Sequence, residues 1–269
     1  MKNLHTPSLR FSSAAILLSL LLQLVAHAEP VTVRYTEGAI HGFVELRDDT
    51  GHIVAYGDVT RTVHAASITS RTTFHFKDGS LDDETTLFTQ HHNFQLISDH
   101  HIQKGPSFPH PTDILIDAHS GQVTVRTTNK DGKEEVKTDH LDLKPDLANG
   151  IVPILVENLR PSSPAATVSM VVATPKPRLV KLIITPSGED TYTLAGVERK
   201  ATHYSIKIDL GGVTAMVAPI VGKAPPDIQV WTIPGDATTF AREQGPLYPE
   251  GPIMTIQLAS PTWPEKTTK

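Results

Sequence analysis

The sequence predicts a mainly β fold, an antiparallel sheet with one short helix burying its apolar face against it. Three observations carry that prediction. Apolar and polar residues alternate with period two in runs spread from end to end of the chain. Clusters of Gly, Asp, Asn and Ser separate these runs at hairpin-like intervals. Only one segment beyond the N-terminal region places its apolar residues at helical spacing.

The N-terminus is read first. Lys2 and Arg10 form a basic region with no acidic residue before Glu29. Ala14–Ala26 is an apolar run of 13 residues, shorter than the roughly 20 needed to span a bilayer. Ala26-His27-Ala28, followed by Glu29-Pro30, has the small-x-small form of a cleavage site. Residues 1–28 are therefore expected to be a removable secretory signal peptide. No Cys follows the cleavage site, which excludes the common lipoprotein anchor, and no transmembrane anchor is expected after cleavage. The expected location is periplasmic or secreted.

The expected mature domain covers residues 29–262 as a single β unit, and 263–269 read as a disordered tail. All 29 acidic residues lie beyond the signal, against 22 Lys and Arg, for a net charge near −7 with His neutral. Phosphate binding wants clustered Lys and Arg, so no nucleic-acid partner is expected. With no cysteine, an exported domain has no disulfides and depends on its core.

Strands follow from the alternation. Thr72, Phe74 and Phe76 alternate with Arg71, Thr73, His75 and Lys77. Val123 and Val125 alternate with Thr124 and Arg126, and Tyr204, Ile206, Ile208 and Leu210 with His203, Ser205, Lys207 and Asp209. The expected turns are Asp48–Gly51, Lys77–Ser80, His119–Gly121, Asn129–Gly132 and Ser187–Asp190. Such short connections predict a meander in which sequence neighbours pair. Between Pro145 and Leu159, Ala148, Ile151, Val152, Leu155, Val156 and Leu159 fall on one helical face. Gly150 and Pro153 within it predict a short or kinked helix. The Pro-rich stretches 105–111, 160–164 and 224–226 read as extended loops.

Candidate chemistry is sparse. Of fourteen histidines, His91, His92, His100, His101 and His110 lie within twenty residues. Imidazole is a ligand for zinc and copper. Adjacent strand residues point to opposite faces, however, so neither pair chelates from one side, and no metal site is assigned. The expectation is solvated or hydrogen-bonding strand histidines. Ser98-Asp99-His100 holds the residue types of a catalytic triad, but a triad is assembled from distant positions. Asp82-Asp83-Glu84 lacks the length and glycine of a calcium loop and reads as a solvated turn. There is no Gly-x-Ser-x-Gly elbow and no glycine-rich phosphate loop, so no catalytic residue and no cofactor is assigned.

The C-terminal half carries a resemblance. Lys200–Ile208 leads to Gly211-Gly212, then to Pro225-Pro226-Asp227-Ile228-Gln229-Val230-Trp231, Gly245-Pro246-Leu247-Tyr248 and Gly251-Pro252-Ile253. This order, over roughly residues 110–262, resembles exported bacterial proteins of a domain-of-unknown-function family. That family is similar in shape to periplasmic lipoprotein carriers of the LolA/LolB type. The resemblance implies one long, curved antiparallel sheet, a half-barrel, with the helix packed on its concave face. It implies no activity and no site residue.

Three functions stay open. The first is a binding module whose concave face holds a lipid or other hydrophobic ligand. The second is a structural or interaction protein of the cell envelope, with a filled core and an envelope protein as partner. The third is a metal-assisted enzyme using the histidine-rich segment. Whether the 145–159 helix seals the concave face decides between the first two.

Overall fold

The computed structural model describes residues 30–128, 133–172, 176–194, 196–211 and 225–259. The signal segment 1–28, the 129–132 turn and the 263–269 tail lie outside them. Fourteen strands form one antiparallel sheet. The first meander is β1 (Ile40–Arg47), β2 (Ile53–His64), β3 (Ser67–Phe76), β4 (Leu81–Gln90), β5 (Phe94–Lys104), β6 (Thr112–Asp117), β7 (Gln122–Thr128) and β8 (Glu134–His140). The second is β9 (Ala166–Val172), β10 (Arg178–Leu194), β11 (Val197–Asp209), β12 (Ile228–Ile233), β13 (Thr239–Pro246) and β14 (Ile253–Leu258). Sequence neighbours pair throughout, and the meanders join where β1 meets β14, with Val44 opposite Leu258.

The two ends of this sheet, β8 and β9, are consecutive in the chain, and the link between them shows how far the sheet curls. Leu141 N–H donates to Gly121 O in the β6–β7 turn, and Leu147 bridges Ser169 on β9. Six residues reach at most about 20 Å. In a flat sheet, at roughly 4.8 Å per strand, β7 and β9 would stand more than about 50 Å apart. The sheet therefore curls until its far ends nearly meet, but it does not close. Val171 of β9 shares a core cluster with Ile114 and Ile116 of β6 and Val123 and Val125 of β7.

Residues 146–149 fill the remaining gap. Ser169 N–H donates to Asp146 O, Ala148 N–H to Ser169 O, and Asn149 exchanges two side-chain bonds with Val171. The β9 edge is thus covered rather than left as a template for pairing.

The helix α1 (Val152–Asn158) is shorter than the 145–159 expectation. Proline in its first turn starts it, because the missing N–H has no partner there in any case. Residues 146–150 are diverted into the β9 contact and the left-handed backbone of Gly150, φ 66°. α1 packs its Ile154, Leu155 and Val156 against Phe88, Phe94, Tyr204, Ile206 and Val230 on the concave face. Asn158 holds the helix end by accepting the backbone N–H groups of Arg34 and Tyr35, each at 2.8 Å.

Two further expectations are corrected. Ser187–Asp190 is no turn but part of the continuous strand β10, where a bulge between Pro186 and Gly188 absorbs the extra residue. Asp82-Asp83-Glu84 lies within β4, because Leu81 already pairs with Lys104, and the turn ends at Ser80.

Candidate functional site

Alternation along β4 places Asp82, Glu84, Thr86 and Phe88 on the concave face. On β5, Phe94 and Leu96 face inward, and simple alternation would next bring Ser98, His100 and Ile102. A bulge opposite Leu87 and Phe88 inserts one residue and reverses the parity. Asp99, His101 and Gln103 point inward instead. That single irregularity decides that Asp99, His101 and Gln103, rather than Ser98, His100 and Ile102, line the interior.

The side chains so gathered are connected. His101 Nε2 lies 2.7 Å from Asp82 Oδ1 and Nδ1 lies 3.8 Å from Glu84. Gln103 Nε2 donates to Asp82 Oδ2 and to Leu247 O, each at 2.9 Å. Thr86 Oγ1 donates to Asp99 Oδ1 at 3.0 Å. Gly150 presses its backbone onto this group: a Cβ there would lie 2.0 Å from Thr86 Oγ1 and 2.9 Å from Asp99 Oδ1. Close approach and positive φ together require glycine.

Glu243 of β13 stands across the interior. It is five strands from Glu84 along the sheet, yet its charge acts on that carboxyl. The ladder between them runs Glu84, Thr72, Val59, Gly42 on one side and Glu243, Ile256, Leu46 on the other, with Leu258 opposite Val44. Thr72, Val59, Gly42, Ile256 and Leu258 are half-buried, not sealed. Glu84 and His101, deep within the curl, keep 28% and 26% of their side-chain surface. A Cβ built on Gly42 would meet nothing nearer than 4.0 Å. These inward-facing residues keep accessible surface beside the buried Val44 and Leu46, so the interior of the curl is only partly filled and leaves a chamber there. The apolar packing around α1 closes one end. The T-shaped Phe76–Phe108–Tyr248 group, at 5.3 and 5.8 Å, closes the other.

Protonation follows from burial. Burial drives Asp99 up to about 8, and the nearby Glu84 adds to it. Burial alone lifts Glu243 to about 7, and Glu84 is raised for the same reason, with His101 opposing. For His101, burial works against the imidazolium, but Glu84, Asp82 and Asp99 outweigh it and carry it to about 10. At neutral pH the interior thus holds a protonated His101 paired with Asp82, beside an Asp99 carboxyl that retains its proton.

The remaining sequence candidates disperse. His100 faces outward and pairs with Asp113 at 2.9 Å. His91 and His92 lie in the bend before β5 and His110 in the loop before β6, each exposed or half-buried. Ser98 and His100 share the outer face while Asp99 points inward, so these three do not converge. Among the described residues no three His, Asp or Glu side chains are placed to hold a metal ion. His203, a solvated-strand candidate, stacks on Trp231 at 4.5 Å on the convex face, with Arg242 at 3.8 Å. Trp231 Nε1 donates to Asp190 Oδ2 at 2.6 Å, and Tyr192 OH to Ala241 O, so the far half of the β10–β11 hairpin folds back over β12 and β13.

No family model matches the chain, and no curated protein matches it in sequence. Two solved structures are similar to it in shape. One is a β-barrel-like protein of a domain of unknown function from Brucella abortus: 9% identity, TM-score 0.47, over 82% of this chain and 96% of that one. The other is the hypothetical lipoprotein YmcC from Escherichia coli (K12): 9% identity, TM-score 0.38, over 83% of this chain and 85% of that one.

Proposed function

We propose that this chain is an exported binding protein of the cell envelope that holds an amphipathic or lipid-like small molecule inside its curled sheet. One observation carries the reading. The concave face is sealed by α1 at one end, where Ile151, Ile154, Leu155 and Val156 are 0–2% exposed. Beyond the helix, Ile256, Leu258, Val59 and Gly42 keep accessible surface while facing inward, beside the buried Val44, Leu46 and Ala55. Concave, partly apolar space with a few convergent polar groups is the usual form of a small-molecule site. The helix thus fills part of the interior that a simple half-barrel carrier would leave to its ligand, which limits the ligand to the β14–β2 side. Export rests on the N-terminal sequence. Among the described residues, no helix is long and apolar enough to cross a membrane.

The test is to purify the processed chain, extract it with organic solvent, and identify co-purifying molecules by mass spectrometry. A lipid-like species at near-stoichiometric yield, or thermal stabilisation by fatty acids or phospholipids, supports the reading. A clean extract with no thermal shift from any of them refutes it.

A second reading, an envelope interaction protein, draws on β8. This edge strand is exposed along nearly its whole length, unlike the covered β9 edge. Its Glu134, Glu135, Lys137 and Asp139 are the charges that natural edges use to discourage pairing, which favours the chamber reading.

A further inference from the structure

Four carboxyl groups face the chamber: Asp82, Glu84, Asp99 and Glu243. Two basic groups face the same interior: His101, committed to Asp82 at 2.7 Å, and Arg61, two residues beyond Val59 on β2, whose buried Nε has no partner. Gln103 spends its amide on Asp82 and Leu247 O. Arg61, the nearest guanidinium on β2, is held by Glu37 and lies 4.0 Å from Glu157 of α1. Glu243 then has neither a hydrogen-bond donor nor an ion-pair partner among the described residues. Asp99 is 1% exposed, and its Oδ2 is buried with no partner at all. An unsatisfied buried acceptor is costly and rare in a finished core. Asp99 Oδ2 has no surface of its own and sits in the interior wall beside Glu84, whose charge acts on it, whereas Glu243 is half-buried on the opposite wall.

We propose that the chamber binds the primary ammonium head of an amphipathic amine, with Glu84 and Glu243 as its carboxylate partners and Asp99 Oδ2 as a further acceptor. The inference rests on the chamber reading above and names the chemistry of its ligand. A primary ammonium brings three donors and one charge, which match a Glu243 that lacks both and a Glu84 that has only His101 at 3.8 Å. A bare metal ion fits worse, since no three ligands converge in the described residues. An apolar body attached to the ammonium would lie along Val59, Ile256 and Leu258. Because burial lifts Glu243 to about 7, the ammonium enters by displacing its proton. Affinity rises with pH between about 6 and 8.

The test is titration calorimetry of the processed protein with dodecylamine, dodecanol and dodecanoate below their micelle concentrations, at pH 6 and pH 8. The amine is expected to bind at least about tenfold more tightly than the alcohol at pH 8, with a smaller ratio at pH 6. Its heat at pH 7 should change between buffers of different ionisation enthalpy, reporting proton release. Glu243→Gln and Glu84→Gln should each weaken the amine about tenfold and leave the alcohol unchanged. Equal binding of amine and alcohol, or preference for the carboxylate, overturns the ammonium site while the chamber reading stands. Failure of all three to bind overturns both. Should a variant not fold, the two-buffer measurement on the unmodified protein decides alone: no proton release with a bound amine overturns the proposal.

Discussion

Replacing Glu243 by Gln should make the protein more stable at neutral and alkaline pH and leave it nearly unchanged in acid. Gln keeps the shape and removes the charge. Glu243 titrates near 7 in the folded chain against an ordinary value of 4.5. The folded state therefore holds this proton more tightly than the unfolded state does. The cost of ionising it inside the fold is absent below about pH 4.5, grows as pH rises, and is complete above about pH 7. At about 1.4 kcal/mol per pH unit, that shift corresponds to roughly 3 kcal/mol, and the accessible surface at the site reduces it to about 2. Urea unfolding of both proteins at pH 5 and pH 8 measures it. Glu243→Gln should gain about 2 kcal/mol at pH 8 and well under 1 kcal/mol at pH 5. A gain of the same size at both pH values, or a loss at pH 8, would refute the placement of Glu243 in a solvent-poor interior. A stabilised variant that no longer prefers an amine would show a site carrying strain for its ligand.

Three other perturbations probe the same interior. His101→Gln removes the only positive group beside Asp82 and should cost about 3–5 kcal/mol, measured by urea unfolding at neutral pH. Because His101 is raised from 6.5 to about 10, its contribution is complete below about pH 6.5 and fades as pH rises through 10, so the difference between the proteins should shrink at high pH. Gly150→Ala places a methyl 2.0 Å from Thr86 Oγ1 at a φ of 66°, and thermal melting should show a loss of more than about 2 kcal/mol or failure to fold. Leu155→Ala, at a position 2% exposed beneath the sheet, should cost about 2–5 kcal/mol and lower Tm by roughly 5–15 °C. A near-neutral result there would mean that α1 does not seal the concave face.

Much of the fold is legible in local pattern. The pairs Phe74 and Phe76, and Tyr204 and Ile206, are buried where alternation places them, between exposed or half-buried neighbours, and Val123 and Val125 are buried with Thr124 between them. The turns at Asp48–Gly51, Lys77–Ser80 and His119–Gly121 connect paired strands. The Ser187–Asp190 segment misleads because Gly and Asp are turn formers in isolation, whereas the bulge lets β10 continue. The site was largely illegible. Asp82 and Glu84 look like solvated residues beside a turn, and they become interior groups only because β4 begins one residue after Ser80. His101 and Asp99 face them only because of the β5 bulge. The one faint signal was the row Asp82, Glu84, Thr86, Phe88, polar at one end and apolar at the other on a single face. Glu243 gave none.

The sequence by itself determined a mainly antiparallel β chain with one short apolar-faced helix, because alternation and turn chemistry act over a few residues. It also determined the opposite faces of His100 and His101, which follow from strand geometry, whereas His91 and His92 lie in a bend outside the strand. Only the tertiary structure decided that the sheet joins its meanders through β1 and β14, curls until β9 meets the β6–β7 wall, and closes part of its interior with α1. The physical reason is range. A one-residue bulge reverses which side chains face inward, and curvature then brings β4 and β13 to opposite sides of one space. Neither effect leaves a mark in the spacing of neighbouring residues. Curl and bulge together make carboxyls that read as surface groups the polar wall of an interior chamber.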